Sequence, residues 1–551
     1  MPEQPALPEG LSVDGLARRA ARRWPERTAL RLGDRTVTFA ELDARVDALA
    51  AGLRRLTGGD GAAIAVATPL DPDFAALYYA TARSGNVIVS LNPMMREQGL
   101  RHVLAVSRSA VAVVTAEMYD RVTRLRDDLP DLRYVVVFDA AGITLADGDT
   151  TVSSLLAAPD DPGAAGGGRP APPDPDATAC LHFTSGTSGA PKAVRLTHRN
   201  LTVNAAQTAH AQGLDDTSVT LNQLPLFHLM HLNSAVWAGA AQVLFPGGDT
   251  PAALAAADEA GATHYFSLPV RLAHLAADPG LERLRLSSAR GIFSGGSALP
   301  PRAARALEDH FGIPVVQGYG LAEASPIVTI DAPGSSAVGS CGFPVVGTDV
   351  RIVDLDTGAA APPGAKGEIH VRGPQIMKGY LGEPAGAHLD ADGWLATGDV
   401  GRLDADGRLY VTDRRSDVFK RDNELVAPAE VEEAVAAHPA VRECAVFGHP
   451  DPFSGHVPHA LIALREPPRD AGGRQHVADS VRAFADARLA VYQRIGHVTV
   501  VDAVPRSRNG KVQRRALREQ FAPADPGPLS PLSPLSPLSP ISPLSTATAT
   551  A

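Results

Sequence analysis

The sequence predicts an α/β protein with a largely parallel sheet, because apolar runs suited to buried strands alternate with stretches of helical periodicity. Strand, helix and strand follow one another in "GAAIAVATP" (61–69), "FAALYYATARSG" (74–85) and "NVIVSLNP" (86–93). Upstream, "TFAELDARVDALAAGLRRL" opens with Thr38 three residues before Glu41. That is a capping box, and the apolar residues after it recur at helical spacing. Downstream, "ARGIFSGGSALPPRAARALEDHFG" (289–312) predicts a buried strand, a glycine loop, and a helix opened by Pro300 and Pro301 and closed near Gly312. In open α/β sheets ligands sit beyond the carboxyl ends of the strands, so Gly295, Gly296 and Ser297 are binding candidates. A plain tight turn explains those three residues almost as well.

Length and composition bound the rest. A chain of 551 residues exceeds one hydrophobic core, and length alone suggests roughly three to four domain-sized units. With 44% apolar and 20% charged residues the chain reads as globular and soluble. The net charge of −10 argues against nucleic acid as the main partner. The cysteines, Cys180, Cys341 and Cys444, have neither metal-ligand spacing nor the density of a disulfide framework, which suits a reducing cytoplasm. The N-terminus lacks a basic segment followed by an apolar one, and no apolar run approaches bilayer length. A cytoplasmic protein without a membrane segment is expected. "DPGAAGGGRPAPPDPDA" (161–177) reads as a surface connector, and the Ser-Pro-Leu repeats of the last thirty residues (522–551) carry no pattern able to bury a face.

The run "LHFTSGTSGAPKAVRLTH" (181–198) is the first chemical signal. Glycines present bare N–H groups and the hydroxyls add donors, a combination suited to phosphate oxygens. It is not a Walker loop, since Gly186 is followed six residues later by Lys192 without a Gly-Lys-Ser/Thr ending. Alone, such a cluster also fits an ordinary surface turn.

"QGYGLAEAS" (317–325), "TGDVGRLDADGRLYVTDR" (397–414), "KRDNELVAPAEVEE" (420–433) and "PRSRNGKVQRR" (505–515) follow in that order. With these motifs the chain resembles the adenylate-forming superfamily of acyl-CoA synthetases, luciferases and peptide-synthetase adenylation domains, over roughly residues 10–520. "LPLFHLMHLNS", "GSCGFPVVGTDVRIVD" and "GEIHVRGPQIMKGYLGEP" are most similar to coumarate-CoA ligases. The resemblance implies a large multi-layer lobe with parallel and mixed sheets over residues 1–413. A small mobile α+β lid would cover 414–521 behind a hinge at Asp413–Ser416. The repeats themselves, not the resemblance, predict a disordered tail over 522–551.

The resemblance also implies ATP, Mg²⁺ and an acid whose oxygen attacks the α-phosphorus, with CoA as a further acceptor. Two anions must meet, so cations and pre-aimed donors are required. Thr184, Ser185, Gly186, Thr187, Ser188, Gly189 and Lys192 would embrace the phosphates, and Glu323 would hold Mg²⁺. Asp399 would accept the ribose hydroxyls, Arg414 would contact ribose or phosphate, and Lys420 joins the cofactor-binding set. Gly318, Tyr319 and Gly320 would line adenine and the acid pocket, with Tyr319 stacked on the base. The acid pocket would comprise His228, Met230, His231, Ser234, Gly296 and Gly318. Lys511, after the turn dipeptide Asn509-Gly510, would enter the site from the lid and neutralise charge in the first step. Taken one at a time, Glu323 fits a surface salt bridge, Asp399 a turn, Lys511 a solvated charge and His228 a core histidine.

Some positions depart from the pattern. Ser416, Asp422, Asn423 and Leu425 differ from coumarate-CoA ligases in the machinery of the second step, while Ala322 replaces a threonine and Ala193 a glycine. Three activities therefore stand open: an aryl- or acyl-CoA ligase; a CoA-independent diazotase that activates nitrite for an aromatic amine; and an inactive nucleotide-binding regulator. A carrier protein as acceptor is conceivable but nothing indicates one.

Overall fold

The computed structural model describes residues 6–521 except 60, 68, 69, 94, 96, 141, 158–172, 185–190, 224–228, 422, 423, 452, 453, 467, 469 and 507–511. It divides into two compact units, the first comprising Met1–Val418 with Arg506–Lys511 and the second Phe419–Pro505 with Val512–Ala551.

The first unit holds two large sheets. The eight-stranded one runs in the order Gly379–Tyr380, Lys192–Thr197, Thr178–Thr184, Val87–Leu91, Ala63–Ala67, Ser109–Val114, Tyr134–Val137, Thr150–Thr151. Its strands are parallel except where Lys192–Thr197 pairs antiparallel with both neighbours. The nine-stranded sheet has a parallel centre that includes Val219–Asn222, His264–Ser267, Gly291–Ser294 and Val315–Gly320. The expected strand-helix-strand order at 61–93 is present: strands Ala63–Ala67 and Val87–Leu91 lie side by side in parallel, joined through helix Pro72–Arg83.

Period-two alternation explains the layering. Ile64 and Val66 face a buried cluster that includes Phe39, Phe74 and Leu232 of helices packed against both sheets. Ala65 and Ala67 face the opposite way, onto Leu100, Val103 and Met118. The far side of the nine-stranded sheet buries Leu221, Tyr265 and Ile292 against Leu254, Leu272 and Leu307. Helices thus cover both sheets on both faces, which a mostly parallel sheet requires.

Local signals set the helix ends. Thr38 caps helix Phe39–Thr57: Glu41 N donates to its Oγ1 at 3.2 Å, and Thr38 N donates to Glu41 Oε2 at 2.8 Å. Pro301 opens and a left-handed Gly312 closes helix Pro301–Phe311, as the sequence predicts. A third sheet in this unit is antiparallel: Asp349–Val353, Gly367–Arg372, Leu395–Leu403, Leu409–Arg414.

The second unit is α+β. Strands Phe419–Arg421, Glu424–Val426, Val441–Asp451, Gly455–Leu464 and His497–Val500 form one sheet. Val446, Ala460 and Ile462 bury one face against helices Pro428–Ala436 and Ala471–Asp486, while Ala445, Phe447 and Leu461 pack on Leu517. Among the described residues no helix is long and apolar enough to cross a membrane. The expected connector at 161–177 falls mostly, and the tail at 522–551 wholly, outside the described residues.

Candidate active site

The glycine-hydroxyl run joins two antiparallel strands, Thr178–Thr184 and Lys192–Thr197, with Thr184 directly opposite Lys192. Ser185, Gly186, Thr187, Ser188 and Gly189 lie outside the described residues. A capping box stops the second strand and starts helix His198–Gln212, with Asn200 N donating to Thr197 Oγ1 at 3.1 Å. From that helix end the Asn200 amide donates to the carbonyls of Pro374 and Ile376 at 2.8 and 2.9 Å. This fastens the segment leading to Gly379–Tyr380, the edge strand that places Tyr380 opposite Val194.

Glu323, Lys192, Glu383 and His388 converge around Tyr380. The Tyr380 hydroxyl donates to Glu323 Oε1 at 2.9 Å. The Lys192 ammonium sits 4.6 Å from the centroid of the Tyr380 ring and 3.6 Å from Glu383 Oε1. His388 lies edge-on to the same ring at 4.7 Å and pairs through Nε2 with Glu383. Burial, then the Glu323 carboxylate, pushes the Tyr380 phenol above its ordinary range, so it stays a proton donor. The Lys192–Glu383 pair is exposed and worth at most about 1 kcal/mol. A phosphate can displace it.

A second constellation forms at the end of the antiparallel sheet. Asp399 and Arg414 are cross-strand partners, with Arg414 Nε 3.2 Å from Asp399 Oδ1. The buried Tyr319 hydroxyl donates to Asp399 Oδ2 at 2.7 Å. Burial first, and the carboxylate next, raise the Tyr319 phenol well above its ordinary value. Tyr319 therefore orients the expected ribose acceptor. A cavity of about 540 Å³ opens beside it, lined in part by Thr397, Gly398, Arg414 and Ser416. Tyr319 and Glu323 belong to one short segment, so the two constellations share a backbone.

Gly295, Gly296 and Ser297 follow strand Gly291–Ser294 at the carboxyl end of the parallel sheet, where the sequence places a binding loop. Gly296 has φ of +89°, a left-handed conformation that favours glycine. The bare Gly295 backbone borders Gly318, since a Cβ there would lie 3.4 Å from the Gly318 carbonyl. Gly318 and Gly320 sit against the returning strand, and a Cβ on Gly320 would fall 2.2 Å from the Pro326 carbonyl. Gly320 is required by close backbone approach, and Gly296 is favoured by its left-handed conformation.

Met230 and His231 open helix Leu229–Ala238, where Met230 packs on a cluster including Phe266 and Phe293. The His231 ring lies 4.3 Å from Phe266, and its buried Nδ1 has no hydrogen-bond partner. Burial pushes His231 down to about 4, so it is neutral at pH 7. Ser234 is fully buried and its hydroxyl donates to the His231 carbonyl at 3.3 Å. His228 and Lys511 lie outside the described residues, as do Asp422 and Asn423. Lys420 is exposed on strand Phe419–Arg421 of the second unit.

His231 yields a stability prediction. Its folded-state value near 4 lies below its ordinary 6.5, so the unfolded chain takes up this proton first as pH falls. Stability is complete above about 6.5 and declines towards 4, with a slope of about 1.4 kcal/mol per pH unit from this group. Thermal denaturation between pH 7 and 5 should show a shallower decline for His231→Gln than for the parent. Equal slopes would refute it.

Sequence reasoning missed Tyr380, Glu383 and His388. Tyr380 stood inside "GEIHVRGPQIMKGYLGEP" and counted only towards the resemblance. The usable signal was Gly379, whose φ of +131° lets the chain swing the next side chain inward.

A hydroxyl-rich hairpin with its lysine, an oxygen-donor carboxylate and an aspartate oriented beside a cavity define an adenylate-forming ligase. Residues 17–381 match the family model described as AMP-binding enzyme, and residues 430–511 match its C-terminal domain. The chain belongs to the AMP-binding enzyme family and is an AMP-forming, acyl-CoA synthetase-like acid ligase. It is 34% identical over 510 residues to a feruloyl-CoA synthase of Amycolatopsis, covering 91% of this chain and 98% of that protein. With 4-coumarate–CoA ligase 2 of Oryza sativa subsp. japonica it shares 33% identity over 511 residues, 89% of this chain and 88% of the relative. Among solved structures, an anthranilate CoA ligase in complex with anthranoyl-AMP superposes with TM-score 0.83 at 25% identity, covering 94% and 98% of the two chains. The amide bond synthetase McbA from Marinactinospora thermotolerans gives 0.81 at 28% identity, covering 93% and 100%.

Proposed function

We propose that the protein condenses an aryl or cinnamate-like acid with ATP and then transfers the acyl group to CoA. In the first step a carboxylate oxygen bonds to the α-phosphorus of ATP and pyrophosphate leaves. In the second the CoA thiol bonds to the acyl carbon, its proton goes to solvent and AMP leaves. The observation that carries this reading is the shared segment Tyr319–Glu323, which ties the ribose-side carboxylate Asp399 to the phosphate-side pair of Lys192 and Glu323.

Each residue then has a task. Lys192 and Thr184 bind β- and γ-phosphate oxygens, and Asp399 accepts the ribose hydroxyls, oriented by Tyr319 and Arg414. Glu323 suits Mg²⁺, which takes few carboxylates and completes its shell with phosphate oxygens and water. Bound there, Mg²⁺ neutralises phosphate charge. Lys511 takes the role the resemblance implies, neutralising charge at the attacked phosphate. Met230, Phe266 and Phe293 form an apolar wall for an aromatic ring, and the unpartnered His231 Nδ1 offers a neutral hydrogen-bonding group to a hydroxyl or amino substituent.

A second reading has an amine in place of CoA. The altered residues Ser416, Asp422, Asn423 and Leu425 and the likeness to an amide bond synthetase favour it. The named relatives are acid ligases and lend no support to nitrite activation or to an inactive nucleotide-binding protein. A mass-spectrometric assay with ATP, Mg²⁺ and ferulate, coumarate or aminobenzoates should yield a CoA thioester when CoA is present. Amide formed only with an amine would transfer the proposal to the second reading. Diazo product formed only with nitrite, or no AMP from any acid, would overturn it.

A further inference from the structure

The geometry points to Tyr380 as a positioning residue that fixes Glu323 and Lys192 relative to one another, so that the metal-facing carboxylate and the phosphate-facing ammonium are pre-set for the nucleotide. The inference rests on the roles proposed above for Glu323 and Lys192.

Two bonds from one segment clamp Glu323. Its carbonyl accepts from Met377 N at 2.8 Å, and its carboxylate accepts from the Tyr380 hydroxyl at 2.9 Å. The same ring lies 4.6 Å from the Lys192 ammonium. Strand pairing makes this spacing rigid: Leu381 N donates to the Ala193 carbonyl at 2.8 Å, and Lys378 N to the Arg195 carbonyl at 3.0 Å. Arg195 Nη2 also donates to the Glu383 carbonyl at 2.9 Å, closing the loop that returns Glu383 to Lys192. A phenol is the side chain that does both jobs, since its hydroxyl donates to an anion while its face attracts a cation. One oxygen of Glu323 is thereby held by Tyr380, which aims the carboxylate. Glu383 keeps the Lys192 ammonium in place until phosphate oxygens take it.

The proposal separates two effects of changing Tyr380. Tyr380→Phe keeps the ring beside Lys192 and His388 but removes the donor to Glu323. It should weaken Mg²⁺-dependent ATP binding about ten-fold, as expected for one hydrogen bond to a charged group. Binding of ATP without Mg²⁺ should stay unchanged. Tyr380→Ala also removes the ring, and should weaken ATP binding with and without Mg²⁺. Calorimetric titration of ATP at several Mg²⁺ concentrations reads both effects directly, with ATP–pyrophosphate exchange as the kinetic companion and thermal denaturation as the check on folding. Glu323→Asp, which draws the carboxylate back by one methylene, should reproduce the Phe phenotype, and combining the two should add little.

Tyr380→Phe with the parent's Mg²⁺ dependence, or a deficit equal with and without Mg²⁺, overturns the inference. Additive losses in the double variant overturn it as well. Glu323→Gln separates this failure from that of the underlying reading. An impaired Gln variant beside a normal Phe variant removes Tyr380 alone, whereas a fully active Gln variant removes the metal-holding role of Glu323 itself.

Discussion

Replacing Lys511 with alanine will slow acyl-adenylate formation by about 10²–10³-fold, the usual loss when one aimed stabilising group is removed from a developing charge. The acid carboxylate and the α-phosphate are both anionic, and neither Lys192 nor Glu323 is proposed to face the attacked phosphorus. ATP binding should change by less than a few-fold, because the proposed holders of the ribose and pyrophosphate ends are Asp399, Thr184 and Lys192. The second half-reaction supplies the control. If the lid withdraws this lysine after adenylation, as the resemblance implies, synthetic acyl adenylate and CoA should still give thioester at the parent rate. Pyrophosphate exchange at the parent rate would dismiss Lys511 from the mechanism. Loss of both half-reactions together would point to a folding defect of the second unit.

Asp399→Ala is the second large effect, and it acts on binding. Two ribose hydroxyls bonded to a carboxylate contribute about 1.5–3 kcal/mol each, so about 3–6 kcal/mol is lost. At about 1.4 kcal/mol per decade, kcat/KM for ATP should fall by about 10²–10⁴-fold. Stability should fall too, since the substitution leaves the buried Tyr319 hydroxyl without the acceptor now 2.7 Å away. An unpaired buried hydroxyl costs about 1–3 kcal/mol. Asp399→Asn, which keeps an acceptor oxygen but no charge, should fall between the two proteins in both ATP affinity and melting temperature. An alanine variant with unaltered ATP affinity would remove Asp399 from the nucleotide site.

The sequence made visible those features whose causes are local. The capping box at Thr38 and Glu41 lies within one turn. The Pro301 start and Gly312 stop bracket one helix, and the strand-helix-strand order at 61–93 follows from apolar periodicity. The glycine-hydroxyl run was legible as candidate phosphate chemistry, while the antiparallel pairing of its flanking strands was not. What escaped depends on contacts between distant segments. Tyr380 reaches Glu323 across 57 positions, and Tyr319 reaches Asp399 across 80. Neither pair leaves a periodic trace, and Gly379–Tyr380 is a strand of only two residues. Ser234 shows a local contact that the likeness did not foretell. Its place in a likeness suggested a pocket, and helix geometry turns its hydroxyl back onto the carbonyl of His231. Roles in the reaction came from the ordered motifs, because spacing alone leaves Asp399 indistinguishable from a turn residue.

The tight approach of Gly320 to Pro326 has a consequence for anyone retuning the enzyme. A Cβ on Gly320 would fall 2.2 Å from the Pro326 carbonyl oxygen, so no larger residue enters there without moving the strand, and one on Gly318 would press on the Ile327 side chain and the Thr329 carbonyl. At these two positions the surface is bare main chain and offers no side chains to exchange. A combinatorial library should hold these glycines constant and diversify Met230 and His231, whose side chains project from a helix. If Met230 and His231 line the acid pocket as proposed, such a library should shift acid preference while ATP affinity stays at the parent value.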